Sequence, residues 1–136
     1  MADTLTLTMV PGRLAICRLA AGDPIPAQAV LGNFFSVTRT VEELSIVCPE
    51  ALAPAGSQVE GGWRALKVAG PLDFALTGIL AGLSGALAGA GISLFAISTY
   101  DTDYVLVRAT DLDGAIAALK AGGYGVESES SAIIET

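Results

Sequence analysis

"FALTGILAGLSGALAGAGISLFAI", Phe74–Ile97, is the stretch on which the reading of this chain turns. It carries no charged residue, and as one helix it would be long enough to cross a bilayer. Gly78 and Gly82 even have the spacing of a membrane-helix dimer face. Proline and glycine divide the segment instead. "GPLD", Gly70–Asp73, reads as a turn and a helix start, with Asp73 as N-cap. Leu76, Ile79, Leu80, Leu83 and Leu87 then recur at helical spacing on one face, and Gly78, Gly82, Gly85 and Gly89 lie largely off it. "AGAG", Ala88–Gly91, ends the helix, because glycine accepts the left-handed C-terminal turn. "ISLFAIS", Ile92–Ser98, starts afresh as a strand, expected to be buried on both faces. A helix of about 16 residues is too short to span a membrane. No aromatic belt or basic cluster flanks it. The expectation is therefore no membrane segment, and a thin glycine face that a sheet or a second copy can approach closely.

Outward from this stretch, strand and helix signals alternate. "WRALKVA", Trp63–Ala69, precedes it as a strand, and "YVLVR", Tyr104–Arg108, follows as another. Thr110 caps a second helix with Asp113 in a weakened capping box. Leu112, Ala115, Ile116 and Leu119 form its apolar stripe, and Gly122 stops it. "YGVES", Tyr124–Ser128, is a last strand. Residues 63–128 thus read strand, helix, strand, strand, helix, strand, the split βαβ or ferredoxin-like unit.

The first half holds a worn copy. "FFSVTRTVEELSIV", Phe34–Val47, aligns without gaps on "LFAISTYDTDYVLV", Leu94–Val107, matching Phe35 with Phe95 and Glu43 with Asp103. "RLAICRL", Arg13–Leu19, is the counterpart of "WRALKVA". The intervening helices shrink to "DPIPAQAVLG" and "PEALAPAG". The fold class expected is α+β. It comprises two tandem ferredoxin-like βαββαβ units, over 1–61 and 62–136, with antiparallel sheets, helices on one face and shortened helices in the first unit.

The composition excludes several functions. The 136 residues suit one ordinary domain or two very small ones. There is no histidine, which removes Ser-His and Cys-His catalysis and most zinc sites. Cys17 and Cys48 sit in apolar alternating runs and read as buried free thiols, with spacing that supports neither metal nor disulfide. A net charge of −7 makes nucleic acid an unsuitable partner. The start, "MADTLTLTMV", is acidic where a signal peptide needs base, so the expected compartment is the cytoplasm. The apolar content of 52% leaves surface for a dimer interface. No nucleophile has a base beside it, no phosphate loop exists, and an enzyme is not expected.

Three segments qualify as a binding site. "VAGPLD", Val68–Asp73, places backbone N–H groups at a helix start, where an α-carboxylate is favoured, although Asp73 competes for those donors. "STYDTD", Ser98–Asp103, offers Asp101 and Asp103 to an ammonium group and hydroxyls from Thr99 and Tyr100. Ser36, Val37 and Thr38 are the first-copy equivalent. Turn and cap chemistry alone also accounts for each of these segments.

The run "GWRALKVAGPLDFALTGILAGLSGALAGAGISLFAISTYDTDYVLV", Gly62–Val107, resembles the small bacterial tandem ACT-domain proteins related to the CASTOR arginine sensors and, more distantly, the regulatory ACT domains of aspartokinases. "VPGR", Val10–Arg13, and the elements around "FFSVTRT" and "EELSIVCPE" extend the resemblance over nearly the whole chain. It implies an amino-acid-binding regulatory protein without cofactor or metal, holding its ligand between ACT units. The residues it implies are the loop Ala69, Gly70, Pro71 and Leu72, the strand end Ser98, Thr99, Tyr100 and Thr102, and the acceptor Asp103. Asp101 falls outside this pattern. A homodimer with shared pockets is implied as well, because the sensors join four such units in one chain. The other reading is a ligand-independent accessory subunit that docks on an amino-acid biosynthetic enzyme.

Overall fold

The structure is a computed structural model that describes residues 5–69 and 78–128. Its elements run β1 Thr6–Met9, β2 Leu14–Leu19, a 3-10 turn Ala27–Val30, β3 Ser36–Arg39, β4 Leu44–Pro49, a 3-10 turn Glu50–Leu52 and β5 Gln58–Val68. They continue with α1 Ile79–Gly89, β6 Phe95–Ser98, β7 Asp103–Arg108, a 3-10 turn Ala109–Asp111, α2 Leu112–Ala121 and β8 Gly125–Glu127. The chain forms two compact units, one of residues 1–11 with 64–136 and one of residues 12–63, and the division falls within β5.

In the unit of residues 1–11 and 64–136, the strand order is β6-β7-β5-β1-β8. β1 pairs antiparallel with β5, Leu7 opposite Val68, and parallel with β8, Leu7 opposite Val126. The sequence reading made β8 the last strand of a self-contained unit and did not recognise β1. The N-terminal strand enters between the first and last strands of that unit. The alternation Leu5, Leu7, Met9 shows why it fits: all three pack on the same apolar face, and Leu7 is wholly buried. Both helices cover that face. Leu83 and Leu87 from α1 and Ala115 and Leu119 from α2 meet Leu66, Val68, Val105 and Val107 in one core.

The helices differ from expectation at their starts. The N-cap of α1 is Gly78, at a φ of 80°, a left-handed conformation that glycine adopts without steric cost. Asp73, the expected cap, and Leu76 lie outside the described residues. α2 follows a 3-10 turn and is capped by Asp111 rather than Thr110, with no side-chain cap hydrogen bond, and it ends at Gly122 as read. β6 is also a correction. It pairs with β7 alone and alternates between half-buried and exposed residues, so it is an edge strand rather than one buried on both faces.

In the unit of residues 12–63, the order is β3-β4-β2-β5 and every pairing is antiparallel. The 3-10 turns stand where helices were expected to be eroded. Its core gathers Ala15, Cys17, Ala29, Leu44, Ile46 and Cys48. Both cysteines are buried and free. The β2–β5 register slips between Leu14 and Ile16, where Gly61 and Gly62 form a bulge in β5. Gly62 has a φ of 77° and donates its N–H to Glu50 Oε1 at 2.6 Å. A Cβ on Gly61 would lie 2.9 Å from that same oxygen, so a larger residue there would push the Glu50 side chain aside.

Candidate functional site

The β6–β7 hairpin closes on the pair Ser98–Asp103. Four residues make its turn. Thr99 N–H donates to Thr102 O at 2.8 Å. The Thr99 hydroxyl donates to the same carbonyl at 3.0 Å and accepts from Thr102 N–H at 3.2 Å. At the base of the turn, Ser98 Oγ donates to Asp103 Oδ1 at 2.6 Å. A short bond of this kind to a carboxylate fixes the acid's rotamer and leaves further lone pairs for a cationic donor.

The turn is tied to the strand behind it. Thr102 is buried, at 4% exposure, and its hydroxyl donates to Val68 O at 2.8 Å. Val68 is the last residue of β5, and Ala69 N–H donates onward to Thr6 O at 2.7 Å. The structure therefore brings together Ala69, Ser98, Thr99, Thr102 and Asp103 at one end of the β5–β7 pair. Gly70, Pro71 and Leu72 lie outside the described residues. Asp103 is half-buried, whereas Tyr100 and Asp101 stand exposed at the tip. Val68 opens the candidate segment Val68–Asp73, but its carbonyl as the anchor of the turn was not expected. Only its place beside "AGPL" hinted at it, since a backbone acceptor leaves no mark in side-chain pattern.

Ser36 and Val37 belong to the other unit and open β3, opposite Val47 and Ile46 and away from its hairpin turn. The β3–β4 hairpin closes on Arg39 and Leu44, with Thr40 N–H donating to Glu43 O at 2.9 Å. Thr40 therefore matches Thr99, and Leu44 matches Asp103. The gapless alignment, which set Glu43 against Asp103, is one residue out of register. Burial confirms the shift. Leu44, Ile46 and Cys48 form one row in their core, and Val105 and Val107, which share a strand face with the half-buried Asp103, stand in the other. A one-residue slip in a strand reverses the face of every side chain.

Charge around the site is simple. Among the described residues no group of His, Cys, Asp and Glu could hold a metal ion. No helix among them is long and apolar enough to cross a membrane. Away from the site, burial pushes the Cys17 thiol up, while hydrogen bonds to Cys48 and Ser57 act the other way. Burial, with the neighbouring Cys17, pushes Cys48 up to about 11. Thiols held in this protonated form are poor nucleophiles.

The unit is thus a five-stranded sheet with two helices packed on one face and a hairpin turn anchored at the end of β5. The family model of the ACT domain matches residues 58–121, and a second model, of an N-terminal domain, matches residues 12–55. A crystal structure of a protein from Agobacterium tumefaciens is 39% identical, covers 94% of this chain and 96% of its own, and superposes with a TM-score of 0.88. Residues 58–121 of the chain are an ACT domain. A Vibrio cholerae protein of unknown function, described as a possible transport protein, shares the fold at 20% identity (TM-score 0.71, covering 88% of this chain and 91% of that one). So does the ligand-free regulatory subunit of aspartate kinase from Thermus thermophilus, at 12% identity (TM-score 0.60, 85% and 96%). No curated protein is significantly similar to the chain.

Proposed function

We propose that the protein is a non-catalytic, cytoplasmic regulator that binds a free amino acid, in the manner of the CASTOR-type sensors. The ligand's ammonium meets Asp103, and its carboxylate meets backbone N–H groups of Gly70 and Leu72 in the loop that includes Ala69 and Pro71. A second ACT unit closes over the ligand, within a homodimer. Residues 12–63 are read as a worn ACT-type unit, because their strand order and hairpin repeat those of the C-terminal unit. The observation that carries the reading is the Ser98–Asp103 pair at 2.6 Å, held at the end of β5 where that loop begins. The fold shared with a regulatory subunit of aspartate kinase supports a regulatory role.

A thermal-shift screen of the twenty L-amino acids tests this, since a ligand of the native state raises the melting temperature with concentration. A rise with one or a few of them is expected, and no rise with any would overturn the reading. An accessory, ligand-independent subunit is the second reading. It is favoured by α1, whose residues Ile79–Gly89 include no charged side chain although Ala81, Gly85 and Ala88 are exposed. That reading expects no shift with any amino acid and a stable complex with a target enzyme.

A further inference from the structure

We propose that Thr102 is a positioning residue: its hydroxyl ties the Thr99–Thr102 turn to the carbonyl of Val68 and so holds the Ser98–Asp103 acceptor against the end of β5. The proposal rests on the amino-acid-binding reading above. Thr102 is the buried polar residue among those described, and burying a hydroxyl is unfavourable unless its hydrogen bond is made. Here the bond is made to a strand-end carbonyl at 2.8 Å, while the Thr102 backbone N–H and C=O are both used within the turn. Every polar group of Thr102 is thus committed to the frame of the site. Its hydroxyl proton is spent on the frame and its side chain is buried, so its role runs through Asp103.

The other unit shows what the turn needs for folding alone. There Glu43 takes the place of Thr102, and an exposed Arg18 guanidinium secures the turn by donating to Glu42 O at 3.0 Å. A hairpin of this form is stable with a solvent-facing tie. The buried tie occurs where the hairpin ends on a carboxylate rather than on Leu44. A buried, single-geometry bond suits a turn whose acid must be held in one place.

Calorimetric titration of each of the twenty L-amino acids, singly, into the parent, Thr102→Ser and Thr102→Val tests the assignment. Serine keeps the hydroxyl, and valine keeps the shape without it. For any amino acid that the parent binds, Thr102→Val is expected to bind about tenfold more weakly and Thr102→Ser within about threefold of the parent. Valine binding like the parent overturns the role of Thr102 and leaves the amino-acid reading intact. Serine losing as much as valine also overturns it. A parent that binds none of the twenty overturns both. Should Thr102→Val fail to fold, amide exchange in the parent decides: on binding, the N–H groups of Ala69 and Thr102 are expected to gain protection together, and protection of one without the other overturns the tie.

Discussion

Asp103 and Leu44 hold the same position in two hairpins, one a carboxylate bonded to Ser98, the other a wholly buried core side chain opposite Arg39. The same backbone geometry thus ends on an acceptor in one unit and on core packing in the other. The proposed amino-acid site rests on that acceptor, and residues 12–63 carry leucine at its position.

Asp103→Asn removes the charge and keeps the shape. A hydrogen bond to a charged group contributes roughly 1.5–3 kcal/mol, so amino-acid binding should weaken about ten- to a hundredfold. Asp101→Asn, exposed at the tip, should change affinity little. Calorimetry on both variants checks this, and a loss at Asp101 instead would move the acceptor two residues back, to the tip of the turn.

Leu83 is wholly buried against both α2 and the sheet, whereas Leu80 only flanks that core. Leu83→Ala should cost about 2–5 kcal/mol, and Leu80→Ala clearly less. Urea denaturation measures both. Equal losses would mean that α1 is rotated about its axis from the orientation described.

Two glycines of α1 should respond differently to alanine. A Cβ on Gly85 meets nothing within 4 Å, so Gly85→Ala should stabilise by about 0.8–1 kcal/mol through helix propensity. A Cβ on Gly82 would lie 2.5 Å from the Tyr124 hydroxyl, so that ring must move, and Gly82→Ala should gain less or lose stability. Thermal melts of the pair give the comparison.

The buried thiols make stability fall at high pH. A Cys48 pKa of about 11 exceeds the ordinary value of 9.0 that the unfolded chain would show. Between these values the unfolded state has lost the proton that the folded state keeps, so folding weakens as pH rises. The contribution is whole below pH 9.0 and is lost as pH climbs towards about 11. Cys48→Ala should flatten that alkaline decline in a series of urea melts. A thiol reagent at pH 8 should label Cys17 and Cys48 slowly in the folded protein and fast in urea.

Sequence alone determined the element types along most of the chain. Leucine spacing marked α1, Gly122 marked the end of α2, and alternation marked β2, β4, β5 and β7, because periodicity is local and each apolar face must be buried. The site turn was legible for the same reason, since threonine and aspartate advertise turns. Tertiary structure decided the rest. Alternation in Leu5, Leu7 and Met9 suits any neighbour, and only the assembled sheet puts β1 between β5 and β8. Likewise, the sequences of the two hairpins admit an alignment one residue either way. The choice that sets Leu44 in a core and Asp103 beside Ser98 depends on which strand faces meet helices and 3-10 turns, and that is a non-local matter of packing.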